Sequence, residues 1–230
     1  VLFGDLRGRV RSPLLDLVRL NRVVRWGQGA EPVEVIATEA DTPYLSGVGG
    51  SAGLSINPLS PVLTRPLGQA RPPEDLAEVL RAVTTRIALV SLAVGEGDEH
   101  PLHAALDDTA ARDILVITAG DTSVADHPWS IPVLSCTPSG RPSWFVEPDP
   151  DARGLFAPGE EVPGPQGPTT GNGVAAAVVA ATAALLWTLF PSATATQLRS
   201  ALLIGTTTRR VGPPLLDAER AHEQLAHYAT

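Results

Sequence analysis

The sequence predicts an α/β protein built as three layers, α/β/α, around a mostly parallel central sheet. Apolar runs short enough to be strands alternate with stretches of helical character, at the spacing of right-handed βαβ crossovers. The clearest runs are RIALVSLA from Arg86, ILVITAG from Ile114 and SIPVLSCT from Ser130; they are continuously apolar, as parallel strands covered on both faces are. Aromatic residues make up only 4% of the chain against 21 Gly and 22 Pro, which favours short elements and tight turns over a long helical bundle.

Taken in order, Leu2 to Trp26 carries Leu14, Leu15, Leu17, Val18 and Leu20 at a mixed spacing that fits a short helix against a core. After the turn Gly27-Gln28-Gly29, Val33 to Thr38 reads as a strand, and Val62 to Leu67 as a second one. The Gly-, Ser- and Pro-rich stretch between them, Thr42 to Pro61, has no firm period. Pro73-Glu74-Asp75 opens a helix that runs to Val83, with acids in the first turn where the helix dipole favours them. A strand over Arg86–Ala93, a helix over His100–Asp113 and strands over Ile114–Gly120 and Ser130–Thr137 follow, while Pro128 to Gly167 is otherwise turn-rich. A long apolar helix from about Gly173 to Phe190 is closed by Pro191, and two further helices cover Ala193–Leu203 and Leu215–Ala226. The apolar run from Val174 to Phe190 is Ala-rich and broken by Thr182 and Thr188, which suits a buried core helix better than a membrane span. A chain of 230 residues, 43% hydrophobic and without internal repeats, suits one domain over 1–230, with 1–30 as an N-terminal extension packed on the core.

Charge narrows the partners. The net charge is −8, every basic side chain is Arg, and no dense basic stripe of the kind that displaces phosphate counterions is present, so nucleic acid is not expected. Arg7, Arg9 and Arg11, with Arg19, Arg22 and Arg25 behind them, are the only basic concentration, and fit an exposed amphipathic helix. Cys136 stands alone and cannot form an internal disulfide, which points weakly to the cytoplasm. Neither a membrane partner nor a cofactor is expected.

The last third is the most informative. Thr170-Gly171-Asn172-Gly173-Val174-Ala175-Ala176-Ala177-Val178-Val179-Ala180 is similar to S-G-T-S-x-A-A-P-x-V-A-G, the nucleophile motif of subtilisin-type serine peptidases. Phe190-Pro191-Ser192-Ala193-Thr194 with Gln197-Leu198-Arg199 resembles the closing P-x-x-T/S-x-x-Q/E-[IVL] segment, and Ala157-Pro158-Gly159 the A-P-G turn of that family. Val90-Ser91-Leu92-Ala93 resembles its S-L-G groove strand, and Val116-Ile117-Thr118-Ala119-Gly120-Asp121 its V-V-x-A-A-G-N block. In this order the blocks cover roughly Glu31 to Leu225, and they imply a subtilisin-like fold. Ile131-Pro132-Val133-Leu134, Gly140-Arg141-Pro142 and the run Arg153 to Glu160 further resemble the subtilases that mature ribosomal peptide natural products of the cyanobactin type.

Departures from the motifs decide the expected function. The catalytic Asp of V-x-V-I-D-T-G is replaced by Ala37, Gly47 is the best match to the catalytic His, and Gly173 stands in the nucleophile's place. No His lies between Val1 and Glu99, so the general base is missing in any register. The family's oxyanion Asn is replaced by Asp121, whose carboxylate accepts hydrogen bonds and repels a developing oxyanion. Since the triad acts as a unit, these losses imply an inactive pseudo-peptidase.

Main-chain groups of a peptide groove survive loss of a triad, because an extended peptide pairs with strand edges. The resemblance therefore implies a peptide site at Ser91, Leu92 and Ala93 on one side and Thr118, Ala119 and Gly120 on the other, narrowed by Ala93 where the family has Gly. The expected role is a peptide-binding, regulatory or scaffolding subunit, in a hetero-oligomer with an active subtilase or presenting a precursor peptide. The alternative is an enzyme of altered chemistry that uses Asp121, Asp126 and His127 at the strand ends. His100 and His103 could share a helical face as metal ligands, but read better as a solvated helix start; Cys136, inside an apolar strand, reads as core.

Overall fold

The computed structural model describes residues 3–4, 10–11, 31–38, 62–67, 72–147, 149, 151–164, 167–204 and 212–229. After the short antiparallel pair β1 (Phe3–Gly4) and β2 (Val10–Arg11), the chain builds a six-stranded sheet. Its strands are β3 (Val33–Thr38), β4 (Val62–Leu67), β5 (Ile87–Ser91), β6 (Leu115–Ala119), β7 (Ile131–Cys136) and β8 (Leu155–Pro158). They lie in the order β4-β3-β5-β6-β7-β8, and every neighbouring pair is parallel. The helix expected over Leu14–Leu20, and with it the packing of the N-terminal extension, falls outside the described residues.

Period-two alternation divides the sheet into two cores. Ile36, Ala88, Val90 and Val116 point to helices α1 (Pro73–Arg81) and α2 (His100–Ala111), where they meet Leu76, Leu80, Leu102 and Leu106. Val35, Ala37, Leu89, Ile117 and Val133 point the other way, to α3 (Asn172–Leu189), α4 (Ala195–Ile204) and α5 (Ala218–Tyr228). Strands buried on both faces explain the unbroken apolar runs of the sequence. Helix α3 is apolar all round because it lies between the sheet and the outer helices: its 18 residues reach the length and hydropathy of a membrane span, yet 83% of it is buried inside the protein.

The amino edge of the sheet is closed by a polar network around Arg86. Its guanidinium lies 3.8 Å from the centre of the buried Trp187 ring, pairs with Asp113 at 3.2 Å and donates to Ala193 O at 2.8 Å. Trp187 Nε1 donates to the same carbonyl at 2.8 Å, and Asp113 Oδ1 accepts from Ala195 N at 2.6 Å, capping α4 from a distant turn.

Two local expectations change. The stretch read as turn-rich contains the edge strand β8 and an antiparallel hairpin, β9 (Val162–Gly164) with β10 (Gly167–Thr169). A four-residue strand has no period to detect; its ladder to β7, Val133↔Leu155 through Cys136↔Pro158, is a tertiary feature. The last helix starts at Ala218 and not at Leu215, because the Asp217 side chain accepts from Arg220 N at 3.0 Å and caps it there. Leu215 instead bridges Phe156, covering the free edge of β8.

Candidate functional site

The carboxyl ends of the strands and the start of α3 form a common rim, the usual place for a site in a parallel sheet. Beneath it the packing is close. Gly159 follows β8 and receives an N–H from Gly171 on its carbonyl at 2.8 Å; an added Cβ would lie 2.7 Å from Gly171 O and Ser135 Oγ and 2.8 Å from Ala175 Cβ. Only glycine fits that approach, which accounts physically for the A-P-G turn. Beside it the Ser135 N–H, on β7, donates to Asn172 Oδ1 at 2.9 Å, and Ser135 Oγ lies 2.8 Å from Ser143 Oγ, both serines being buried.

The positions matched to the family's catalytic motifs lie around this floor. Ala37 is fully buried at the end of β3, in register with Ser91 at the end of β5. Gly173 is half-buried in the first turn of α3, and Asp121 is exposed just beyond β6. Gly47 lies outside the described residues. Of the six residues assigned to a peptide groove, Leu92, Thr118 and Ala119 are buried, while Ser91 and Gly120 are half-buried and Ala93 is exposed. Leu92 belongs to the core under α1 and α2, and Thr118 Oγ1 is bound to Thr122 Oγ1 at 2.8 Å, so the side chains of these two serve the body of the sheet.

The alternative set of Asp121, Asp126 and His127 is not assembled. A 3-10 turn over Ser123–Asp126 carries His127 under the loop, where its ring is buried against α2. Nε2 faces Asp107 at 3.4 Å, Nδ1 accepts the Trp129 N–H at 3.3 Å, and the ring packs edge-on against His103 at 5.4 Å. Burial holds the His127 pKa below its usual 6.5; Asp107 opposes this by charge and hydrogen bond, while the charges of His103 and Arg153 add to it. The imidazole is thus a neutral wedge between loop and helix, pointing away from the two aspartates. His100 and His103 are both exposed on α2, the N–H of the former donating to Asp98 Oδ1 at 3.0 Å. Cys136 is fully buried in the small core of Val146, Phe156 and Leu215.

What the rim does contain is a cavity of about 520 Å³. Asp121 and Asp126 line it from the segment after β6 and Glu147, Asp149 and Asp151 from the segment before β8, together with Gly120, Pro132, Leu134 and Asn172. The second acidic segment was missed in the sequence, although Glu147-Pro148-Asp149-Pro150-Asp151 is a visible acidic run. Asn172 was quoted there only as part of a motif; its place at the head of α3, next to the nucleophile position, was the available signal.

A parallel sheet with two helices on one face, three on the other and its cavity at the carboxyl rim is the subtilisin-like α/β fold, and this chain has it. No protein-family model and no curated protein sequence matches the chain. Among solved structures it resembles the PatG macrocyclase domain, with a TM-score of 0.70 at 20% identity over 80% of this chain and 67% of that one. It also resembles MycP1 from Mycobacterium smegmatis, with a TM-score of 0.65 at 19% identity over 96% and 86% of the two chains. The patellamide maturation protease PatG superposes with a TM-score of 0.65 at 15% identity, over 91% of this chain and 95% of that one.

Proposed function

We propose that this chain is a subtilase-family protein that has lost peptide hydrolysis and acts as a peptide-binding or scaffolding subunit. The observation that carries this reading is the carboxyl rim itself: Ala37, Gly173 and Asp121 stand where the family motifs carry Asp, Ser and Asn, and among the described residues no imidazole lines the cavity. Among the described residues the fold around these positions is closely packed, down to a glycine contact at Gly159 that leaves no room for a methyl group. A scaffold kept to that tolerance without its reacting groups retains main-chain donors and a cavity, which suffice to hold an extended peptide. Likeness to a peptide-macrocyclising domain, a peptide-maturation protease and secretion-system proteases supports a peptide or protein as the occupant. Those likenesses are nearly equal, with TM-scores of 0.70 and 0.67 for PatG and MycP3, so the cyanobactin-type assignment rests on the sequence blocks around Ile131 and Arg153. An active subtilase or a precursor peptide is the proposed partner in a hetero-oligomer.

The test has a catalytic and a binding arm. A panel of fluorogenic peptides should show no turnover, and Gly173→Ser should not restore any, because its hydroxyl gains no base. Turnover that a serine-directed phosphonate blocks, and that persists through further purification, would overturn the inactive reading. In the second arm, immobilised protein should enrich recurrent sequences from a displayed library of random heptapeptides; a library that stays random would overturn peptide binding.

A further inference from the structure

Two features of the rim cavity bear on what it can hold. Asp121, Asp126, Glu147, Asp149 and Asp151 line it, and among the described residues none of them forms a salt bridge, while Asp149 Oδ1 accepts the Asp151 N–H at 2.9 Å. The cation that also lines the cavity, Arg153, is turned aside: its Nη2 donates to the main-chain carbonyls of Ala125 at 2.6 Å and His127 at 3.5 Å. Like charges gathered around a concave site raise the local concentration of opposite charge and cost stability unless something neutralises them.

The second feature is Asn172. Its side chain is nine-tenths buried, with a residue exposure of 9%, and its orientation is set because Oδ1 accepts the Ser135 N–H at 2.9 Å. The amide NH2 is therefore the end left over; among the described residues Nδ2 donates to nothing, and Asn172 lines the cavity. A donor held this way faces the accessible space of the cavity with its orientation already fixed, ready to exchange water for an acceptor on a ligand. The first N–H groups of α3 stand beside it and need acceptors as well. Carboxylate walls exclude an anion as that acceptor. A neutral carbonyl attached to a cationic arm satisfies both features, and an Arg or Lys residue in a peptide is such a group.

We propose that this cavity receives the side chain of an Arg or Lys residue of a bound peptide, with Asn172 Nδ2 donating to a main-chain carbonyl beside it. This rests on the peptide-binding reading above and adds the residue class that the site selects. Planar guanidinium against paired carboxylates is the stronger of the two fits, since both of its edges can donate.

Sequences enriched from the random heptapeptide library should carry Arg or Lys at one fixed position. For an enriched peptide, replacing that Arg by citrulline, which keeps the shape and removes the charge, should weaken binding about tenfold in fluorescence anisotropy, and raised salt should narrow the gap. Asp121→Asn with Asp126→Asn should remove most of the preference for Arg over citrulline. Asn172→Asp retains an oxygen for Ser135 N–H while losing the donor; the citrulline peptide, which gains nothing from the added negative charge, should then bind more weakly. Enrichment without a basic position, or equal affinity for Arg and citrulline, would overturn the cation inference and leave peptide binding standing. No enrichment at all would remove both.

Discussion

The two ends of the sheet are built on opposite plans. At the amino edge, Arg86 gives both terminal nitrogens to Asp113, Pro191 and Ala193 and stacks on Trp187; Asp113 uses its remaining oxygen to cap α4. At the carboxyl edge, five acidic residues and an asparagine line a cavity, and among the described residues none of the five forms a salt bridge. Satisfied networks rigidify, and groups left waiting cost stability unless a ligand completes them. The difference separates the end that holds the fold from the end available for binding.

Substitutions should follow that division. Trp187→Ala removes a fully buried ring, its hydrogen bond to Ala193 and the surface on which Arg86 lies, and should cost about 4 kcal/mol in urea unfolding. Asp113→Ala should cost about 2 kcal/mol, since it uncaps α4 and puts alanine at φ 59°; Asp113→Asn, which tolerates that backbone, should cost less. A larger loss from Asp121→Ala than from Asp113→Ala would break the comparison.

Between the two ends lies His127, which should make stability depend on pH. Its folded pKa is below the usual 6.5, so beneath pH 6.5 the unfolded chain takes up a proton that the folded protein refuses. The stabilisation is present above that pH and lost as pH falls toward the folded value, with a slope of at most about 1.4 kcal/mol per pH unit. Melting temperatures of wild type and His127→Gln measured from pH 7.5 to 5 check this: the difference between them should change most just below pH 6.5.

Smallest of all should be the effects on stability at the rim. Asp121→Asn and Gly173→Ser touch exposed or half-buried positions and should stay within about 0.5 kcal/mol of wild type. Asp121→Asn removes one of the five acidic residues at the cavity, and a small rise in melting temperature in low salt that disappears at high ionic strength would sharpen the contrast between the two ends.

The sequence by itself determined the layers and the mostly parallel sheet, and it shows Ala37, Gly173 and Asp121 at the positions that match the family's catalytic motifs. Each of these is local: apolar period is set by which faces are covered, and a motif replacement is read at one position. The short edge strand β8 escaped, because four residues carry no period and its ladder to β7 supplies what holds it. Only the tertiary structure decided that His127 turns under its loop to Asp107, because a 3-10 turn and the packing of α2 set the direction of its ring. It alone joined Asp121 and Asp126 to the acidic run from Glu147 and to Asn172, segments far apart in the chain that meet where β6, β7 and α3 converge. The residues at the motif positions were legible one by one; the cavity was not, because it belongs to no single segment.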